Sequence, residues 1–192
     1  MENAAIKFIS QFITLSKEEE EILLKLNLVK EFKKGTILLR EGEMAKNCYL
    51  VLKGCIRSYY LVDGEEKIAE FYTEHQPVTP VSYTTQNPSE YYLETLEDCI
   101  LSLGTPASTE ELIKQFPRIE TVSLLISNQL LVNSQVSFDN YRNLSPEQRY
   151  FKLLETRPDL CNRVPQYMLA SYLGIQPQSL SRIRRRIKEN KV

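Results

Sequence analysis

Residues 164–187 read VPQYMLASYLGIQPQSLSRIRRRI, which is two short helical patterns that meet at Gly174. Pro165 and Pro177 suit the first turn of a helix, where no backbone donor is needed. Small Ala170 would let the two helices approach each other closely, and Gly174 is the residue that the turn between such helices favours. The stretch therefore predicts a helix-turn-helix.

The second helix of this pattern has two contrasting faces. At about 100° per residue, Leu180, Ile183 and Ile187 fall on one side and polar residues on the other. Glutamine can pair with adenine and arginine with guanine in a major groove, and we assign base edges to Gln178 and Arg182 and phosphates to Arg185 and Arg186. Candidate contacts to double-stranded DNA are Gln176, Gln178, Ser179, Ser181, Arg182, Arg185 and Arg186. The alternatives are a solvated basic helix, or a ligand-sensing or protein-interaction module with a β-roll and without sequence-specific DNA binding.

Charge is distributed unevenly along the 192 residues. Residues 163–192 hold seven Lys or Arg against one glutamate, or +6, which leaves −7 for the remainder of a chain whose net charge is −1. A basic end on an acidic body favours a polyanionic partner.

The middle of the chain has the short, turn-separated apolar runs of an antiparallel sheet. Strand-like runs fill about residues 32–103, and Asp63-Gly64 is a two-residue hairpin turn between Ile56–Val62 and Glu66–Tyr72. Residues 1–30 look helical, with Ser16 and Glu19 spaced as a capping box. We therefore expect an α+β protein whose sensor domain, residues 1–116, is an antiparallel β-roll with flanking helices.

A long helix is predicted after Pro117. We assign residues 117–143 to this helix and residues 144–192 to the helix-turn-helix domain, with Ser108 or Thr109 capping a short helix before it and Ser145 capping the helix after it. The long helix carries one broad apolar face and a second formed by Leu124, Leu131 and Phe138. Two apolar faces favour two partners, so we expect a homodimer, although burial in a single-chain core would also explain them. Candidate dimer contacts are Ile119, Val122, Ile126, Gln129 and Val136.

The order of these elements resembles the Crp/Fnr family of bacterial transcription regulators. The resemblance rests on KGTILLREGE at residues 34–43, YLVLKGCIR at residues 49–57, and the segment from Leu173-Gly174-Ile175 to Ser181-Arg182-Ile183. It implies a double-stranded β-helix similar to cyclic-nucleotide-binding domains, a dimerisation helix, a dimer that binds a palindromic site, and RNA polymerase as a partner. The family's recognition helix commonly has a glutamate and an arginine four apart, where this chain has Gln178 and Arg182.

The residues that hold a cyclic nucleotide in the family are not found here. That site uses a Gly-Glu pair near a short helix and an arginine beside a small hydroxyl residue, whereas residues 71–90 lack glycine and place Asn87 or Pro88 where the arginine belongs. A desolvated phosphate without a cation is costly, so we expect no tight binding of cyclic AMP. Another small-molecule effector would contact Tyr72, Tyr83, Thr84 and Ser89, unless these residues only fill the roll. We also expect no β-hairpin wing after Lys188.

Several other classes of function are not expected. His75 is the single histidine, and one histidine cannot build the metal site of cupin-like enzymes, so we expect no catalysis, metal or cofactor. Cys48, Cys55, Cys99 and Cys161 lack C-x-x-C spacing, which favours reduced thiols. With no secretory signal and no apolar run long enough to cross a membrane, we expect a cytoplasmic protein.

Overall fold

A computed structural model of the chain describes residues 4–26 and 28–189. The chain divides into two compact units, Met1–Tyr60 with Glu70–Leu130 and Leu61–Ala69 with Leu131–Val192. The division falls inside the long helix. None of the helices within the described ranges has the length and apolarity needed to cross a bilayer. The expectation that no β-hairpin wing follows Lys188 concerns residues that lie largely outside the described ranges, which end at Glu189.

The first unit begins with two helices, α1 (Ala4–Ile9) and α2 (Lys17–Leu26). The predicted capping box is present, because Glu19 N–H donates to Ser16 Oγ at 3.2 Å and Ser16 N–H donates to Glu19 Oε2 at 2.8 Å. The helical pattern ends earlier than expected. Leu28–Phe32 is a strand, β1, because it finds a partner in Cys99–Gly104, far away along the sequence.

The strands form the predicted roll of two four-stranded antiparallel sheets. After β1, the strands are β2 (Ile37–Leu39), β3 (Cys48–Lys53), β4 (Ile56–Val62), β5 (Glu65–Tyr72), β6 (Pro77–Val78), β7 (Tyr92–Thr95) and β8 (Cys99–Gly104). One sheet has the order β1-β8-β3-β6 and the other β2-β7-β4-β5. Apolar side chains from both sheets fill the interior, among them Val51, Ile56, Leu93 and Leu101.

The turn between β4 and β5 is the one predicted from Asp63-Gly64. Both residues have positive φ, +53° and +80°, as a two-residue hairpin loop requires. Between β6 and β7 the chain forms a short helix, α3 (Val81–Thr85), which the sequence pattern did not predict.

Two helices follow the roll. The first, α4 (Pro106–Gln115), is capped by Thr105 and not by Ser108 or Thr109 as expected; Ser108 is the third helical residue and completes the capping box with Thr105. The second is the long helix α5 (Ile119–Asn143). Its first turns pack with Leu23 of α2 and Phe116, which completes the core of this unit outside the roll.

The second unit contains the carboxyl-terminal helices. These are α6 (Pro146–Thr156), capped by Ser145 as predicted, α7 (Leu160–Arg163), α8 (Gln166–Tyr172) and α9 (Pro177–Glu189). Leu160, Leu169, Ala170 and Leu180 are completely or almost completely buried. The hairpin segment Leu61–Ala69 belongs to the same unit: Ile68 N–H donates to the hydroxyl of Ser171 on α8 at 2.9 Å.

Candidate nucleic-acid interface

The turn between α8 and α9 has the hydrogen bonds of a glycine-terminated helix. Ile175 N–H donates to the carbonyl of Ala170 at 3.0 Å, and Gly174 N–H donates to that of Ser171 at 2.9 Å. This pair of bonds requires a left-handed residue, and Gly174 has a φ of +67°. The close approach of the two helices uses Ala170, which is fully buried. The sequence pattern is therefore realised as a helix-turn-helix, with α9 as its second helix.

The two faces of α9 are separated as the spacing predicts. Leu180 and Ile183 are buried and Ile187 is half-buried, whereas Gln178, Ser181, Arg182 and the neighbouring arginines Arg185 and Arg186 are exposed. Of the other candidate contacts, Gln176 is exposed and Ser179 is half-buried. The helix thus presents a continuous polar face with donors that can reach base edges and phosphates.

Two of these arginines have acidic neighbours. Arg185 lies 3.7 Å from Glu189 in the next turn of α9, and Arg186 lies 3.5 Å from Glu147 of α6. Both arginine side chains are more than half exposed, so these are weak, solvent-screened pairs that a phosphate could replace.

A groove beside α9 adds two residues that the sequence reasoning missed. Its volume is about 450 Å³, and its lining combines Gln166 of α8 with Pro177, Ser181, Arg184 and Arg185 of α9. Arg184 is half-buried and lies near Tyr150 and Cys161. Burial raises the pKa of both of these groups, and the positive charge of Arg184 partly opposes the rise. Gln166 could have been found from its place at the start of α8, next to the second helix.

The loop that would hold a cyclic phosphate is hydrogen-bonded to the turn after β2. Ser89 N–H donates to the carbonyl of Glu43 at 2.8 Å, and the carbonyl of Ser89 accepts from Gly42 N–H at 2.7 Å. Its hydroxyl donates to the carbonyl of Tyr91 at 2.8 Å. Pro80, next to α3, is buried, and the chain has no Lys or Arg between Lys67 and Lys114. This loop does not offer the donors that a cyclic phosphate needs, because residues 68–113 contain no lysine or arginine and the Ser89 amide already donates to Glu43.

Sequence and structure comparisons fit this combination of roll and helix-turn-helix. Residues 29–116 match the family profile "Cyclic nucleotide-binding domain". The transcriptional activator protein Anr of Pseudomonas protegens is 27% identical over an alignment of 185 residues, and the match covers 83% of this chain and 70% of Anr. These two findings support the resemblance of the chain to Crp/Fnr regulators.

Solved structures share the fold of this chain. The global regulator CLP of Xanthomonas campestris matches with a TM-score of 0.70 and 17% identity, over 92% of this chain and 93% of CLP. FixK2 of Bradyrhizobium japonicum matches with a TM-score of 0.72 and 18% identity, over 86% of each chain. At these identities the match describes the architecture and not the ligand.

The structure places the four effector-pocket candidates in different surroundings. Tyr72 is half-buried, burial raises the pKa of its hydroxyl, and it hydrogen-bonds to Ser58. Tyr83 hydrogen-bonds to Cys48 and Thr109, Thr84 is exposed on α3, and Ser89 is buried. A common effector pocket for these residues stays a prediction.

A different cavity lies on the β-roll. Its volume is about 350 Å³, and it is lined by Tyr49, Pro80 and the segment between β2 and β3 that includes Glu43, Lys46 and Asn47. The sequence analysis assigned no ligand-binding role to this segment. Among residues 4–26 and 28–189, no group of three or more His, Cys, Asp or Glu side chains could hold a metal ion.

The long helix corrects the list of dimer contacts. Ile119 and Val122 are buried against Leu23 and Phe116 of their own unit, and Ile126 packs on the same cluster. Ile119 and Val122 are thus core residues, and assigning them to a dimer interface was wrong. Gln129 and Val136 are exposed, as are three apolar residues spaced seven apart, Leu124 (61%), Leu131 (67%) and Phe138 (59%).

Proposed function

We propose that this protein is a transcription regulator, not an enzyme, that reads a palindromic DNA site as a homodimer. The observation that carries the proposal is α9, whose polar face stays exposed while Leu180 and Ile183 anchor it to α8. In this proposal Gln178 and Arg182 contact base edges, whereas Arg185, Arg186 and Ser181 contact phosphates. Such a regulator acts in the cytoplasm, with RNA polymerase as the second macromolecular partner.

The test starts from a random duplex library, from which the purified protein selects its preferred site. Fluorescence anisotropy then measures affinity for the selected and a scrambled duplex at several salt concentrations. With six or more phosphates contacted, affinity should fall roughly a thousandfold between about 50 and 200 mM salt. Failure to select or retain any duplex at low salt would refute the proposal.

The exposed apolar row of α5 supports the dimer. Leu124, Leu131 and Phe138 repeat every seven residues, the spacing at which two helices pack side by side. We expect Leu131→Asp to give a monomer in light scattering and Val81→Asp, at a residue that is 61% exposed on α3, to leave the dimer intact. If the wild-type chain is a monomer at micromolar concentration, or if Leu131→Asp remains a dimer, this part of the proposal fails.

The effector of this regulator is proposed not to be a cyclic nucleotide. The support is the hydrogen-bonded Ser89 loop and the lack of a cation between Lys67 and Lys114. Isothermal calorimetry with cyclic AMP and cyclic GMP tests this directly, and micromolar binding of either would contradict it.

A further inference from the structure

The side chain of Arg149 on α6 joins the ends of two other helices. Its Nε and Nη2 donate to the carbonyl of Leu173, the last residue before the helix-turn-helix glycine, at 3.1 and 2.9 Å. Its Nη1 donates to the carbonyl of Leu144, just after α5, at 2.8 Å. Carbonyls at the end of a helix have no partner within the helix, so one guanidinium stabilises the termini of both α5 and α8.

Tyr141, in the last turn of α5, contacts both Arg149 and the turn. Its ring lies 4.9 Å from the Arg149 guanidinium carbon, and its backbone carbonyl accepts from Nη1 at 3.3 Å. On the other side it leaves no room at Gly174, where a Cβ would lie 2.8 Å from the Tyr141 hydroxyl. The end of α5 is therefore packed directly against the backbone of the turn that precedes α9.

We propose that Arg149 and Tyr141 are positioning residues that fix the direction of α9 relative to the end of α5. The inference rests on the proposed function, in which α5 joins two chains and each α9 enters a major groove. In such a dimer the two recognition helices must lie about one helical turn of DNA apart, roughly 34 Å. In this inference the contacts of Arg149 and Tyr141, here called the clasp, join the end of α5 to the turn before α9. They set the separation of the recognition helices without contacting DNA.

A guanidinium suits this role better than an ammonium group. Its planar fork presents donors in fixed directions, so it can serve Leu173 and Leu144 at once, whereas a lysine is a single flexible point charge. The inference therefore predicts that Arg149→Lys, although it keeps the charge, behaves more like Arg149→Gln than like the wild-type protein.

The test compares Arg149→Gln with Lys152→Gln, a matched loss of charge at an exposed residue of the same helix. The probes are the duplex selected by the wild-type protein and two versions with one base pair added or removed at the centre. We expect Arg149→Gln to bind the selected duplex about tenfold or more weakly. Its discrimination against the altered spacings should also fall, while Lys152→Gln should match the wild-type protein.

The salt series separates positioning from direct contact. If Arg149 positions α9 without meeting DNA, the slope of log affinity against log salt stays unchanged in Arg149→Gln. A slope that becomes shallower by about one would identify Arg149 as a phosphate contact and overturn the inference. Unchanged spacing discrimination in a variant that is folded by circular dichroism would overturn it as well.

Tyr141 provides a second route if Arg149→Gln does not fold. Tyr141→Phe keeps the ring beneath the guanidinium and should retain spacing discrimination, whereas Tyr141→Leu should lose it. Tyr141→Leu should also recover part of the affinity lost in Gly174→Ala, because it frees space beside the new methyl group. No recovery in the double variant, together with unchanged discrimination in Tyr141→Leu, would refute the clasp. Failure of the wild-type protein to bind any duplex would instead refute the proposed function.

Discussion

The helix-turn-helix and the β-roll differ in what each retains beyond its apolar core. In the helix-turn-helix, buried Leu180 and Ile183 lie behind an exposed face of glutamine and arginine. In the roll, the interior is equally well buried, but the largely exposed loop at residues 84–90 supplies no lysine or arginine for a phosphate, and its Ser89 N–H donates to the carbonyl of Glu43. The comparison shows that core pattern and ligand chemistry are separate properties of one fold, since apolar burial builds the roll whether or not a charged ligand is held there.

The largest effects are expected from the two cores. Leu180→Ala and Leu101→Ala each remove a fully buried leucine and should lower the free energy of unfolding by about 2–5 kcal/mol. Chemical denaturation measures both losses. At a temperature where both variants remain folded, we expect only Leu180→Ala to change DNA affinity. Equal loss of DNA binding in Leu101→Ala would mean that the two regions do not act separately.

The next effect concerns base recognition. Arg182→Ala should weaken binding to the selected duplex by about 1–3 kcal/mol and leave binding to a scrambled duplex nearly unchanged. The loss is selective because a base contact contributes only where the correct base is present. Anisotropy titrations with both duplexes check this, and equal losses on the two sequences would remove Arg182 from base readout.

A smaller, uniform effect is expected from Arg186→Ala. A phosphate contact carries no sequence information, so affinity should fall alike on both duplexes and the salt slope should decrease by about one. The loss is reduced because Arg186 gives up its pair with Glu147 when it binds a phosphate. Glu147→Gln is the matching control and should bind at least as tightly as the wild-type protein.

The smallest effect is expected at the roll. A ligand present at a hundred times its dissociation constant stabilises a folded protein by about 2.7 kcal/mol. Because the Ser89 loop offers no donors for a phosphate, we expect no such stabilisation by cyclic AMP. Millimolar cyclic AMP should leave the thermal unfolding midpoint unchanged, whereas the selected duplex should raise it. A clear upward shift with cyclic AMP would show that the Ser89 loop opens to bind phosphate, and would end the contrast between the two regions.

Local signals in the sequence predicted most of the architecture. Alternating strands, the Asp63-Gly64 turn, the Ser145 cap and the Gly174 turn each depend on neighbours a few residues away. The β1 strand and α3 were missed, because β1 forms only by pairing with distant β8, and α3 is too short to show a helical period.

The candidate site was predictable to a lesser degree. The exposed face of α9 followed from helical spacing, since a single helix determines it. The exposed face of α5 could not be predicted in the same way. Leu23 and Phe116 cover the first turns of this helix, and their position depends on the tertiary fold. The groove at Gln166 and Arg184 was missed for the same reason: it forms only where α8 and α9 meet.

The exposed row on α5 also bears on how a target gene would respond to the amount of protein. When chains must pair through Leu124, Leu131 and Phe138 before two recognition helices are available, mass action governs occupancy of the site. Below the dissociation constant of the pair, occupancy rises with the square of the chain concentration. The strength of pairing through this exposed row would thus set the protein concentration below which the target gene is left unregulated.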